Sequence, residues 1–244
     1  MSRIAYIFHG HSRTWDQCYE NFFKNVHSHL PGDIFIHTWD KRNASQASYW
    51  SPHSYQDTLP DDLLKIANQT PDLKGIYEAY KPKVLLVEPD KKPDLSVLHD
   101  VEHIRDASTL SHVGTKNMLY QSKTVFNIAK AYGNYDYYFS TRMDINYTDP
   151  ITQEEIAAML SFPGLTAPWV RPGIADVSDI WMFGPAEHMS IQTDYFFHID
   201  DVWCKKERDL TAVGYEMGLY RYLVEGGRVS IRSSSLPCHM VRLF

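Results

Sequence analysis

Arg142-Met143-Asp144 closes the run Tyr135-Asp136-Tyr137-Tyr138-Phe139-Ser140-Thr141. Residues two apart on an extended chain share a face. A guanidinium and a carboxylate therefore stand side by side where an aromatic strand ends. Arginine cannot bind a cation, but it can hold a phosphate-type anion through parallel N–H donors, or it can brace the neighbouring acid. Asp144 can ligate a hard divalent cation. Within "MDINYTDP" it can equally serve as a turn residue that accepts backbone hydrogen bonds.

Other side chains with chemical potential lie elsewhere. Gly10 and Arg13 follow the first apolar run; the glycine lets backbone approach a ligand, and the arginine is a phosphate or base contact or else a surface cap. His9 and His11 have the H-x-H spacing that puts two imidazoles on one strand face. Gln121 and Lys123 lie on a helix ahead of the aromatic strand, and either face donor phosphates or belong to a solvated face. Asp179 in "VSDIWMFG" and Glu216 in "VGYEMGLYRYL" are candidate general bases, with turn and ion-pair roles as the alternatives. His198, Asp200 and Asp201 in "HIDDVW" form a further acid–imidazole group that reads as structural.

The elements that must position these groups follow from periodicity. Residues 3–8 read as a buried strand. Trp15, Tyr19, Phe22, Phe23, Val26 and Leu30 follow at helical spacing, and Pro31-Gly32 stops them. Residues 33–38 form a second strand, so the chain opens β-α-β, which predicts a parallel pair with a right-handed crossover. Residues 41–75 read as loop with one short helix near 61–67. Further strands are expected at 83–88, over the aromatic run that begins at Tyr135 and ends on the acid Asp144, at 180–183, stopped by Gly184-Pro185, and at 229–232. Helices are expected at 115–132, capped by Thr115, at 156–160 behind the capping box Thr152-Gln153-Glu154-Glu155, and at 212–225. The box gives its glutamates a structural role. Alternating elements predict an α/β fold: a Rossmann-like, mostly parallel or mixed central sheet flanked by helices. Ligands of such sheets bind beyond the carboxyl ends of the strands.

Composition narrows the classes. The 244 residues are 43% hydrophobic and 22% charged, with a formal charge of −6. That balance is ordinary for a globular protein and argues against a nucleic-acid partner, which calls for a basic face. No apolar stretch approaches the ~20 residues of a membrane span, and no secretory leader is recognisable. Cys18, Cys204 and Cys238 are few, odd in number and widely spaced, which points to reduced thiols and a cytoplasmic setting, with peripheral membrane contact through Trp and Lys left open.

"IFHGHSRTW", "DIFIHTWD", "YDYYFSTRMDI" and "SDIWMFGPAEHM", in that order between residues 4 and 189, resemble the small GT-A-type glycosyltransferases found in surface-polysaccharide gene clusters and some large viruses. The resemblance implies one GT-A-like catalytic domain over 1–244, with a nucleotide-sugar-binding half at 1–145 and an acceptor-binding half at 146–244. It implies a UDP-, GDP- or dTDP-sugar donor and a glycan or lipid-linked glycan acceptor. Gly10, Arg13, Gln121, Lys123, Arg142 and Asp144 become donor contacts, and Asp179 and Glu216 catalytic or acceptor contacts. The family commonly holds manganese or magnesium on a D-x-D motif. Here Arg142 occupies the first acidic position, so a cation would rest on Asp144, the diphosphate, water and a late ligand such as His239. Otherwise arginines supply the positive charge, and metal matters less. Two other readings stay open: a metal-dependent hydrolase built on His9, His11, His37 and Asp144, and a non-catalytic carbohydrate-binding protein.

Overall fold

The computed structural model of the chain describes residues 2–43, 61–89, 107–199 and 215–241. Asp200, Asp201, Trp203, Cys204 and the polar stretches 44–60 and 90–106 lie outside them. The core is one seven-stranded sheet. In chain order its strands are β1 (Ile4–His9), β2 (Asp33–Trp39), β3 (Val84–Glu88), β4 (Tyr137–Thr141), β6 (Leu165–Ala167), β9 (Met182–Pro185) and β10 (Ile231–Ser233); they lie side by side as β10-β6-β9-β4-β1-β2-β3. β4, β1, β2 and β3 run parallel, β10 runs parallel to β6, and β9 is antiparallel to both neighbours. The expected α/β class and the parallel β1–β2 pair are both present.

The central strands β1 and β2 are buried on both faces, so they read as continuous apolar runs, whereas the edge strands β3 and β10 are half-buried or exposed. Every residue of β1 is buried, and its side chains alternate between two cores. Ala5 and Ile7 pack toward α4 (Ala107–Tyr132), α6 (Ala186–Asp194) and α7 (Tyr215–Tyr220). Ile4, Tyr6 and Phe8 pack toward α1 (Trp15–Phe22), which continues as a π-helical turn Phe23–His27, and toward α3 (Leu73–Tyr80) and α5 (Gln153–Ser161). The same alternation in β4 sends Tyr138 to the first core and Phe139 to the second. Two short antiparallel pairs complete the described fold: β5 (Ile145–Tyr147) with β11 (Cys238–Met240), and β7 (Val170–Arg171) with β8 (Asp176–Val177).

Several elements depart from their expected bounds. Thr115 is no cap: α4 begins at Ala107 and runs through Gly114, a residue that costs a helix only ~1 kcal/mol. Gly184-Pro185 does not stop β9 but lies inside it. Tyr137 pairs with Pro185, and a Cβ on Gly184 would sit 2.6 Å from Leu165 Cδ2 and 3.0 Å from Gly164 O, so a side chain there would have to displace Leu165 on the neighbouring strand. The helix α2 (Asp61–Ala67) stands where expected, but α3 has no counterpart in the sequence reading, whose loop runs to residue 75 and which gives 76–82 no element, although Asp72 caps it by accepting from Gly75 N at 2.9 Å. Thr152 caps α5 through Glu155 N at 3.1 Å. The Glu155 carboxylate does not return to the cap; it accepts from Arg232, Ser234 and Ser235, tying α5 to the C-terminal segment.

Phe139 is fully buried at the centre of the second core, stacked on Trp181 at 5.0 Å and 5.3 Å from the Tyr6 ring. Phe139→Ala is expected to cost about 3–5 kcal/mol of stability, read as a drop in the denaturant midpoint at unchanged m-value.

Candidate active site

β1 leads to β2 and β3 on one side, whereas β4 adds on the other side of β1. The strand order therefore reverses between β1 and β4, and a crevice opens at their carboxyl ends, where open α/β sheets bind ligands. Two turns line it. After β1 the chain bends at Gly10, whose φ of +105° few other residues adopt and whose missing side chain faces open space. Arg13 then takes the left-handed conformation at φ 40°, at a cost of ~1 kcal/mol or more. Arg42 holds it there: Arg13 N donates to Arg42 O at 2.9 Å, and Arg42 Nε donates to Arg13 O at 3.0 Å. After β4 the chain turns through Arg142–Asp144 into β5, and Val241 N donates to Asp144 O at 2.8 Å.

These two turns, 131 residues apart in sequence, meet at one carboxylate. Asp144 accepts from Arg13 Nη1 at 2.9 Å, from Arg142 Nε at 2.9 Å and from Arg142 Nη2 at 2.7 Å. Its side chain is 1% exposed, while those of Arg13 and Arg142 keep 18% and 12%. Burial pushes the Asp144 carboxyl up, but the Arg142 and Arg13 charges and their hydrogen bonds more than reverse this and hold it at about 2. Burial works against the Arg142 charge too, and Asp144, then Asp179, outweigh it, so its pKa rises. Two guanidiniums around one carboxylate leave a net positive charge at the crevice.

Beside this group lie two perturbed acids. Burial raises the Asp179 carboxyl, against the pull of Arg142. Burial, then the Asp179 charge, raises Glu216 to about 7. The sequence-derived bases thus lie within electrostatic reach of each other, and Asp179 of Arg142. Strongly shifted acids in a crevice mark functional sites.

Other candidates fall elsewhere. The Lys123 ammonium pairs with Asp194 of α6 and lies 5.5 Å from the Phe126 ring centre. Gln121 is fully buried in α4 with neither amide atom hydrogen-bonded. His239 is exposed on β11 opposite Asn146, 3.5 Å from Asn146 Nδ2. The donor set therefore does not fit a divalent cation: both Asp144 oxygens accept from guanidiniums, and His239 meets Asn146. Among the described residues no group of three His, Cys, Asp or Glu side chains is arranged to hold a metal ion. The hydrolase set, whose His9 and His11 lie within electrostatic reach of Asp144, is engaged in other contacts. Gly10 breaks the extended H-x-H face, His9 Nε2 bonds Ser140 Oγ at 3.1 Å, and His37 Nε2 lies 3.0 Å from Glu88 Oε2. Burial, then Arg142 and His37, lower His9 to about 3, so its imidazole is neutral.

Sequence reading did not single out Asn43, which accepts from Arg13 Nε at 2.9 Å, nor Ser122, Ser140 and Gln192, which gather around His9 and Asp179 in a small pocket. Ser122 and Gln192 come from α4 and α6, and no local spacing announces that convergence.

No protein-family model matches the chain, nor does any curated protein. Among solved structures it is similar to a proposed nucleotide-diphospho-sugar transferase from Desulfovibrio desulfuricans G20, at 11% identity and a TM-score of 0.43 over 96% of this chain and 80% of that one. That degree of likeness assigns neither family nor activity.

Asp144→Asn removes one partner of a buried charge group and should cost about 3–5 kcal/mol at neutral pH. Because the native carboxyl is held at about 2, below its ordinary 3.8, its contribution is complete above 3.8 and lost as pH falls through 2. Denaturant unfolding of both proteins should show a constant gap from pH 7 to pH 4 that narrows below it.

Proposed function

We propose that the protein is a glycosyltransferase that moves a sugar from a nucleoside diphosphate to a hydroxyl of a glycan or lipid-linked glycan. The observation that carries this reading is the Arg13–Asp144–Arg142 group at the strand-order reversal. Cleavage of the donor breaks the bond between the anomeric carbon and a diphosphate oxygen, and negative charge grows on that oxygen. A fixed positive pair in a water-poor crevice stabilises such charge without reorganising at the moment of reaction. Asp144 keeps both guanidiniums in place, and guanidiniums held in this way bind phosphate oxygens through directed, charge-assisted hydrogen bonds. In the same step the acceptor oxygen bonds to the anomeric carbon, and its proton passes to the Asp179–Glu216 pair. Acids poised near neutral pH suit that transfer. The sugar-accepting half is then the one that carries Asp179 and Glu216.

In this mechanism the arginines stand where D-x-D enzymes place a cation. Arg142→Asp restores the D-x-D spacing, yet it removes half of the positive pair and the brace of Asp144. Its turnover should fall at least ~100-fold, in the range of a lost transition-state donor, and added manganese should not restore it. The primary test is titration calorimetry with UDP, GDP and dTDP, with and without chelator. One diphosphate should bind in both conditions, and Arg142→Ala should weaken it at least ten-fold. Binding that vanishes with chelator and returns with manganese counts against arginine charge compensation. Binding of free glycan alone supports the non-catalytic alternative.

The acid pair has its own signature. A base must be deprotonated to act, so turnover should rise with pH through about 7, the Glu216 value. Glu216→Gln should remove that limb of the profile and leave diphosphate affinity intact.

A further inference from the structure

Behind the Arg142–Asp144 pair, on the face of the sheet covered by α4 and α6, a cavity of about 10 Å³ lies between His9, Ser122, Ser140, Asp179 and Gln192, with apolar walls from α4 and β9. The alternation of the strands explains its lining. His9 ends β1 in phase with Ala5 and Ile7, and Ser140 lies in β4 in phase with Tyr138, so both point to the α4 side. The volume is close to that of one water-sized oxygen and far below that of a sugar ring.

Its polar atoms are incompletely paired. His9 Nε2 meets Ser140 Oγ, but His9 Nδ1, Ser122 Oγ and Gln192 Oε1 have no hydrogen-bond partner, although these residues are only 5%, 2% and 5% exposed. Buried polar atoms left unpaired are costly. The imidazole is neutral, the serines and the amide are uncharged, the Asp179 carboxyl also lines the space, and donors and acceptors mix. A hydroxyl group, one donor and two acceptor lone pairs, matches that set. A carboxylate or an acetamido group is too large for the space.

Resting on the transferase reading, we propose that this cavity is a specificity subsite that receives a single hydroxyl of the donor's sugar, so that the protein takes neutral hexose donors and reads the sugar through His9, Ser122, Ser140 and Gln192. The arginine pair holds the diphosphate, and the cavity reads the sugar beside it. A solvent water occupies the same atoms until the hydroxyl displaces it. Diphosphate affinity and sugar affinity are then separable by substitution.

The test is calorimetry on the full chain with UDP, GDP and dTDP and with UDP-glucose, UDP-galactose, GDP-mannose and dTDP-glucose, in wild type, Ser122→Val, Ser122→Ala and Gln192→Leu. Ser122→Val fills the cavity. It should raise the Kd of the hexose nucleotide about ten-fold relative to that of its parent diphosphate, whose Kd stays unchanged. Ser122→Ala and Gln192→Leu only remove a hydrogen-bonding atom and should raise that ratio several-fold; they decide the matter if the valine variant does not fold. A ratio unchanged in the variants, or a diphosphate weakened as much as its hexose form, overturns the subsite and leaves the transferase reading standing. Diphosphate binding by wild type with no binding of any hexose nucleotide does the same. Failure of all three diphosphates to bind wild type overturns the transferase reading and the subsite together.

Discussion

The buried carboxylate of Asp144 is the point on which the crevice depends. It is in direct contact with two guanidiniums that approach from different turns, and it joins the end of β1 to the end of β4. Without it, Arg13 and Arg142 would repel each other across a partly desolvated gap. With it, three charge-assisted hydrogen bonds fix both arginines and still leave one positive charge in excess. The left-handed backbone of Arg13 fits this account, because such strain persists only where the surroundings over-determine it. Arg42, Asn43 and the C-terminal Val241 supply that surrounding.

The same charges set the behaviour of the neighbouring acids. Arg142 is committed to Asp144 by two hydrogen bonds, so its pull on Asp179 reverses only part of the desolvation that raises that acid. Glu216 lies further along and rises through its own burial and through Asp179. A contrast results: a carboxylate ionised at any physiological pH at one end, and at the other Asp179, raised by burial, beside Glu216, raised to about 7. Divergent acid strengths from one polypeptide are what acid–base chemistry needs, and here burial raises all three carboxyls while at Asp144 the arginine charges and hydrogen bonds outweigh it.

Much of this was legible in the sequence because it depends on local pattern. The β-α-β opening, the strand that ends in Arg142, the short helix at Asp61–Ala67 and the Thr152 cap all have periodic or capping signals of their own. The pairing of Arg142 with Asp144 was one of the two roles the sequence offered for that arginine, beside a phosphate contact. The partner role of Arg13 did not, because the sheet order brings together residues 131 apart. Two- and three-residue strands such as β5, β8 and β11 carry no periodicity to read. Lys123 illustrates the converse: its type and helix suited a phosphate contact, but Asp194 on a neighbouring helix claims its charge. Ser122 and Gln192 bear no motif at all, and only the packing of α4 and α6 on the sheet gives them a common cavity.

The exchange of an acid for Arg142 also changes the physics of charge compensation. Two carboxylates and a divalent cation sum to zero before substrate arrives, and the cation can leave. Two arginines and one carboxylate sum to plus one, and every member is covalently part of the fold. The protein version carries its desolvation cost in the folded state, where burial alone would raise Asp144 and lower Arg142. In return the positive charge is always present, fixed in direction and independent of metal supply. Its reach is shorter than that of a bare cation, because guanidinium charge is spread over a plane and acts through directed N–H bonds. A site of this kind must therefore hold its anion at a defined orientation, and the sugar beside that anion inherits the orientation. On the transferase reading, charge compensation by arginine and recognition of a single hydroxyl in the cavity beside His9 and Ser140 are two consequences of one rigid geometry.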